Sequence, residues 1–210
     1  MLYKHYFLNK KATYAFVVLF FIVLCGFIFY PALKGYTLKM YDIKAYKGNA
    51  KELIDHREDY SEEAIWTNSS FSGMPGYQIS VNYDMPIKKA VSILGLGLPN
   101  PMRYFFIGMI CFFILGLSLK MKWYVALFGS VAFGLTSFHF VITEAGHTSK
   151  ILAISIFPAV LAFFILVYRS KGVKLLLFGA LFSLFFALDL VANHIQMTYY
   201  LSFILFGIGI

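Results

Sequence analysis

The sequence predicts an all-α protein, a polytopic bundle of about six transmembrane helices. Of its 210 residues, 60% are hydrophobic and only 13% are charged, which is about half the charged fraction of an ordinary soluble domain. Apolar runs of about 18 or more residues recur along the chain, and a helix of that length crosses the hydrocarbon core of a bilayer. These two observations place the chain among membrane proteins.

The apolar runs define the expected spans and one long loop. The last run is too short to cross a bilayer before the chain ends, so we expect residues 1–210 to be the N-terminal part of a longer membrane domain. The predicted spans are 12–33, 102–119, 123–143, 151–168, 174–192 and the truncated 197–210, and the long first outer loop is 34–101.

The first apolar run, 12–33, differs from a cleavable signal peptide. It is longer than a typical signal core, and no small-x-small cleavage site follows it. We therefore interpret it as an uncleaved first span. Cys25 and Cys111 both lie inside apolar runs, which predicts buried thiols rather than a disulfide.

The distribution of charge predicts the orientation of the chain. If the N-terminus is cytoplasmic, the net charge of +8 lies on the inner face, and the outer loop 34–101 is nearly balanced, as the positive-inside rule expects. Because the basic excess is spread over short turns near the membrane, it does not predict nucleic-acid binding. The inner basic residues are Lys4, Lys10, Lys11, Lys120, Lys122, Arg169, Lys171 and Lys174.

The outer loop contains three segments with different patterns. Residues 40–63 mix both charges with apolar side chains at helical spacing, which predicts short amphipathic helices on the protein or the lipid headgroups; a solvated helical loop is the equal alternative. Residues 66–80 combine aromatic residues with glycine and proline and predict an ordered, turn-rich segment. Residues 86–98 predict a short interfacial helix.

The septet "EAGHTSK", residues 144–150, forms the predicted outer turn at which the fourth span begins. Thr148 or Ser149 is expected to cap that helix. The free amides of the first turn and the helix dipole favour an anion, and His147 and Lys150 add positive charge. This combination suits the phosphate of a lipid carrier. The alternative is a capped turn in which the carboxylate and the ammonium of the septet neutralise each other.

A second polar cluster lies near the end of the fifth span. Asp189 stands within an apolar run, where a carboxylate is costly unless it is paired or faces a polar cavity. Asn193 follows four residues later and is expected on the same helix face, and His194 precedes the sixth span. The alternative is an interhelical hydrogen-bond network. The residues predicted to line a substrate cavity are Glu144, Asp189, Asn193, His194 and Gln196.

Motifs for nucleotide, zinc and serine-hydrolase chemistry are not found in the sequence. It has no P-loop, G-x-G-x-x-G, H-E-x-x-H, C-x-x-C or G-x-S-x-G pattern. His139, within the third span, is expected to bond to a neighbouring helix rather than to take part in catalysis. The sequence thus favours chemistry at the outer face that does not use ATP.

Four segments together resemble the N-terminal half of YfhO-like bacterial membrane proteins, in the version of the Bacteroidetes group. They are "YDIKAYKGNAKELIDHRE", "WTNSSFSGMPGYQIS", "EAGHTSK" and "LDLVANHIQMTYY", in this order. The resemblance covers nearly the whole chain and rests on their combination. It implies the GT-C group of polytopic glycosyltransferases, in the bacterial cytoplasmic (inner) membrane.

Enzymes of that group transfer a sugar from a polyprenyl-phosphate carrier to an envelope polymer or lipid outside the membrane. They place an acidic residue soon after the first span, and Asp42 is the matching position here. The resemblance therefore implies that Asp42 is the general base, or a metal ligand in the metal-using branches. His147 and Lys150, with Thr148 and Ser149, are expected to hold the donor phosphate. Since no Asp-x-Asp pair is present, no metal ion is assigned.

Two other classes of function stay open at this point. One is a transporter or flippase for a lipid-linked substrate, with Asp189 and His194 as an ion or proton relay. The other is a non-catalytic scaffold of an envelope complex. The polar residues gather at the outer rim rather than at the bilayer midplane, where transporter sites usually lie, and this favours the enzyme.

Overall fold

The structure, a computed structural model, describes residues 10–80 and 87–209 and is helical apart from one small pair of strands. Strands β1 (Trp66–Thr67) and β2 (Met74–Pro75) are antiparallel, and a short 3₁₀ helix follows at Gly76–Gln78. The helices are α1 (Lys10–Ile28), α2 (Tyr30–Leu33), α3 (Tyr41–Asn49), α4 (Lys51–Tyr60), α5 (Ile87–Leu94), α6 (Met102–Ser118), α7 (Trp123–Gly134), α8 (Ser137–Ala145), α9 (Thr148–Tyr168), α10 (Val173–Val191) and α11 (Ile195–Gly209).

Among the described residues, four helical segments are long and apolar enough to cross a membrane. They are Lys10–Ile28, Trp123–Ala145, Thr148–Tyr168 and Val173–Val191. Large apolar side chains cover much of the outside of the bundle, as expected of a surface in contact with lipid. The prediction of an all-α membrane bundle is thereby confirmed. Helices α6 and α11 are shorter than these four, and the number of six spans stays a prediction.

Helix α6 lies at the centre of the bundle. It packs against α1, α7 and α9, and most of its side chains are buried. Small residues allow the close approach, because Gly108 lies against Ser155 of α9 and Gly116 against Ala126 of α7. A helix surrounded by protein does not need to match the full thickness of the bilayer, which explains why α6 is shorter than the four candidate spans.

The helices alternate in direction and define two ends of the bundle. Ring contacts pair Tyr14 with Phe113 and Phe29 with Phe105, so α1 runs antiparallel to α6. The first residues of α6, α9 and α11 consequently lie at one end, which we call the loop end because the long loop covers it. At the opposite end the Arg169 guanidinium donates to the Ser118 carbonyl over 2.7 Å.

Two of the predicted spans are interrupted helices. Span 12–33 breaks at Phe29, and α2 restarts with Pro31 in its first turn, a position where the missing N–H of proline costs little. Span 123–143 breaks after Gly134, and α8 restarts at Ser137. The buried His139 imidazole lies with Nδ1 3.2 Å from the Gly134 carbonyl oxygen. His139 thus bonds to the last residue of α7, the helix before its own, across the break within the predicted span.

A carboxylate orders the turn-rich part of the loop. Oε2 of Glu52, in α4, accepts hydrogen bonds from the Thr67 hydroxyl and from the backbone amides of Asn68 and Ser69. The Thr67 hydroxyl, with the two amides, holds the pKa of the Glu52 carboxyl below its ordinary value of 4.5. A carboxyl with a depressed folded pKa stabilises the fold above the unfolded pKa, and this contribution is lost as pH falls through the folded pKa.

We expect Glu52→Gln to loosen the segment around β1, because glutamine offers no charge to these donors. Hydrogen exchange of the Asn68 and Ser69 amides at neutral pH should accelerate several-fold. In the unchanged protein the same acceleration, taken relative to an unprotected amide at the same pH, should appear only below a pH of about 4.5. Glu58→Gln, on the same helix and also exposed, is the control and should leave both rates unchanged. Equal rates in all three proteins would contradict the proposed role of the Glu52 carboxylate.

Candidate functional site

A polar cavity of about 510 Å³ lies at the loop end. It is enclosed by the first half of α3, the 3₁₀ helix, the α8–α9 turn and the α10–α11 turn. Its volume is in the range of small-molecule sites in proteins, about 300–1,000 Å³. The described residues that line it are Asp42, Ile43, Tyr46, Gln78, Ile79, Gly146, His147, Thr148, Ser149, Lys150, Asn193 and His194.

The structure brings Asp42 of the first loop to the septet between the third and fourth predicted spans. Oδ2 of Asp42 lies 3.4 Å from Nε2 of His147, and the pair is an ion pair whenever His147 is protonated. Both side chains are about half exposed, 53% for Asp42 and 50% for His147. The carboxylate is therefore oriented by the imidazole and still open to the cavity.

Gly146 allows this close approach. It ends α8 with φ +103°, a conformation that L side chains rarely adopt. A Cβ atom at this position would lie 3.0 Å from Cβ of Met40 and 3.6 Å from Cβ of Asp42. Backbone packing between the α8–α9 turn and the start of α3 therefore sets the position of Asp42.

Helix α9 directs its N-terminus at the cavity. It begins at Thr148, and its N-cap is His147, whose side chain makes no capping bond. The expectation that Thr148 or Ser149 caps this helix was wrong, because the helix starts earlier than predicted and both residues fall in its first turn. The amides of Ser149 and Lys150 have no backbone acceptor in the described part of the chain, so they remain available to a ligand.

The Lys150 ammonium is not neutralised by Glu144. Its Nζ lies 5.3 Å from the centre of the Phe138 ring, and within the described residues no ion pair joins it to Glu144. The structure therefore contradicts the alternative interpretation of the septet, a turn in which Glu144 and Lys150 neutralise each other. Lys150 contributes net positive charge to the cavity.

His194 places a second helix N-terminus at the same cavity. Its carbonyl accepts hydrogen bonds from the amides of Met197 (2.8 Å) and Thr198 (3.4 Å), so it directly precedes α11. Burial, together with the positive charges of Lys150 and His147, lowers the pKa of His194. Two helix N-termini, an ammonium and two imidazoles thus converge, and an anion in the cavity would offset their mutual repulsion.

Asn193 lies in the α10–α11 turn and not on a helix face with Asp189, as the spacing predicted. Helix α10 ends two residues earlier, and Asn193 has φ +55°, a conformation that asparagine tolerates better than most residues. Its side-chain amide donates to the Tyr77 carbonyl over 3.3 Å. The Tyr46 hydroxyl bonds to Ser80 Oγ over 3.2 Å. These two bonds hold the segment 76–80 against the cavity.

Three of the predicted cavity residues are not among those that line this cavity. Asp189 is fully buried and accepts a 2.7 Å hydrogen bond from the Thr198 hydroxyl. This bond joins α10 to α11, as the alternative prediction of an interhelical hydrogen-bond network expects. Gln196 is exposed and donates to the Tyr200 hydroxyl over 2.9 Å. Glu144 lines a separate cavity nearby. The second polar cluster is therefore divided between the cavity and the helix packing.

Five lining residues were not predicted as site residues from the sequence: Ile43, Tyr46, Gln78, Ile79 and, within the septet, Gly146. The patterns of the first four, an apolar face and a turn-rich segment, carry no signal for a site. In the ranges 10–80 and 87–209, no cluster of three or more His, Cys, Asp or Glu side chains could hold a metal ion. Asp42 is therefore not part of such a cluster, and the role of metal ligand stays a prediction.

The chain was compared with family models, with curated proteins and with solved structures. No family model, no curated protein and no solved structure matches it. The chemistry of the site therefore follows from its own residues. They combine a carboxylate that can accept a proton with a surface suited to an anion.

Proposed function

We propose that this chain belongs to a membrane glycosyltransferase that moves a sugar from a polyprenyl-phosphate carrier to an extracytoplasmic acceptor. The observation that carries the proposal is the shared cavity, in which the Asp42 carboxylate faces the positive cluster of His147, Lys150 and two helix N-termini. All four segments that resemble YfhO-like proteins contribute lining residues to it. This convergence supports membership of that family.

In the proposed reaction the acceptor hydroxyl gives its proton to the Asp42 carboxylate. Its oxygen forms a bond to the anomeric carbon of the sugar, and the bond from that carbon to the carrier phosphate breaks. The phosphate leaves with the bonding electrons, and Lys150 and the free amides of the first turn of α9 stabilise its growing charge. His147, when protonated, holds the carboxylate in place and reduces its repulsion of the phosphate.

We further propose that the loop end faces the outside of the bacterial cytoplasmic membrane and that the N-terminus is cytoplasmic. The end of the bundle opposite the loop carries basic side chains at the chain start and in the two connecting turns there, which agrees with the positive-inside rule. The basic residues of this end are Lys10, Lys11, Lys120, Lys122, Arg169, Lys171 and Lys174.

A transporter of a lipid-linked substrate is the second candidate, and the buried Asp189 is the observation that favours it. Carboxylates inside membrane helices often belong to ion or proton relays. The two functions differ in their products. A covalent sugar–acceptor product that forms in reconstituted vesicles without an ion gradient supports the transferase, whereas gradient-dependent movement of intact substrate supports the transporter.

The phosphate site is tested by Lys150→Gln. We expect the dissociation constant for undecaprenyl phosphate to rise about tenfold to a hundredfold, the usual worth of a hydrogen bond to a charged group. Binding is measured with the full-length protein in nanodiscs. Lys47→Gln, an exposed lysine of α3 outside the cavity lining, is the matched control. Unchanged binding in Lys150→Gln would contradict a phosphate site at the N-terminus of α9.

A further inference from the structure

A second cavity, of about 540 Å³, lies beside the polar one and is mostly apolar. We call it the apolar cavity. It is formed by the end of α1, by α2, by the chain that leads to α3, and by the last turns of α8. Its lining includes Phe29, Lys39, Phe140, Thr143 and Glu144.

The two cavities share a wall. Along the chain that leads into α3, Lys39 lines the apolar cavity and Asp42 lines the polar one. Along the α8–α9 turn, Glu144 lines the apolar cavity and Gly146 lines the polar one. The wall is thus formed by the chain that leads into α3 and by the α8–α9 turn, and it carries the carboxylate proposed to be the base.

Besides the cavity itself, the buried hydroxyl of Thr143 points to a ligand. The residue is 3% exposed, and its hydroxyl has no hydrogen-bond partner among the described residues. A threonine in a helix usually bonds to a backbone carbonyl of the preceding turn, and a buried hydroxyl without a partner carries a desolvation penalty. Thr143 lines the apolar cavity, and a rotation of its side chain would bring the buried hydroxyl to a polar group of a ligand there.

We propose that the apolar cavity binds an amphipathic lipid that carries a free hydroxyl group on its head. Thr143 and Glu144 supply hydrogen-bond partners for the head, and apolar walls such as Phe29 and Phe140 accept the start of its chain. The helices around the cavity also present exposed apolar side chains, including Phe27 at 83%, so the rest of the chain can extend into the bilayer.

If the chain is the proposed transferase, this lipid is the acceptor. Its place across the wall from the phosphate site keeps the two substrates apart until transfer. The acceptor role depends on the transferase activity, whereas binding of the hydroxylated lipid does not. The two can therefore be tested separately.

The test uses a diacylglycerol with a diazirine and an alkyne in one chain, and the same probe with its hydroxyl methylated. Both are incorporated with the full-length protein into vesicles of phosphatidylethanolamine and phosphatidylglycerol. After illumination, labelled peptides are identified by mass spectrometry. We expect labelling of segments 28–39 and 140–144 to favour the free hydroxyl about threefold to tenfold, as one hydrogen bond predicts.

Thr143→Val should abolish this preference, and Thr143→Ser, which keeps the hydroxyl, should retain it and serves as the check if the valine variant does not fold. Thr136→Val changes an exposed threonine of the same predicted span and should have no effect. Equal labelling by both probes, or a preference that survives in Thr143→Val, overturns the proposal and indicates ordinary bilayer lipid.

Lys150→Gln, in the polar cavity, should leave the labelling unchanged. Specific labelling without formation of a glycosylated probe would support the lipid site while contradicting the acceptor role. Loss of specific labelling in an active transferase would overturn the lipid site and leave the proposed function intact.

Discussion

Asp42→Asn in the full-length protein is expected to lower the rate of sugar transfer by about a hundredfold to ten-thousandfold, the usual contribution of a general base. Asparagine keeps the size of the side chain but cannot accept the proton of the acceptor hydroxyl. The measurement is kcat for transfer from polyprenyl-phosphate sugars in reconstituted vesicles. Binding of undecaprenyl phosphate should persist, because its proposed partners, Lys150 and the α9 amides, are unchanged.

Asp59→Asn is the matched control. Asp59 is an exposed residue of α4 outside the polar cavity lining, and its replacement removes the same charge from the same loop. It should leave kcat unchanged. Full activity in Asp42→Asn would remove Asp42 from the role of base, and an equal loss in both variants would indicate an effect of loop charge rather than of proton transfer.

Gly146→Ala is expected to reduce transfer by about a hundredfold, the cost that a displacement of about 1 Å can have at a reacting centre. The new methyl group would lie 3.0 Å from Cβ of Met40, so the start of α3, with Asp42, must move away. The backbone at φ +103° adds strain of about 1–3 kcal/mol. Activity and thermal stability should be measured on the same preparation.

Gly35→Ala separates strain from displacement. Gly35 also has a positive φ, +83°, but a Cβ atom there meets nothing within 4 Å. Its replacement should lower stability by a similar amount and leave the transfer rate unchanged. If both variants lose activity in proportion to their stability, the packing of Gly146 against the start of α3 has no separate role in placing Asp42.

The membrane character of the fold could be predicted from residues 151–168 and 174–192 alone, because hydrophobicity is a local property of a run of side chains. The structure has α9 at Thr148–Tyr168 and α10 at Val173–Val191, close to these bounds. The helix breaks at Phe29 and after Gly134 could not be predicted in this way, since hydropathy does not record which backbone bonds are lost.

The candidate chemistry was visible in the sequence as polar residues that an apolar chain would not otherwise retain, such as His147, Lys150 and Asp189. Their grouping was not visible. Asp42 lies against His147 because Gly146 permits the backbones to approach, and Asp189 bonds to Thr198 because α11 packs beside α10. Neighbouring residues along the chain specify helix and polarity, but proximity between distant residues follows from helix packing, and only the tertiary structure contains it.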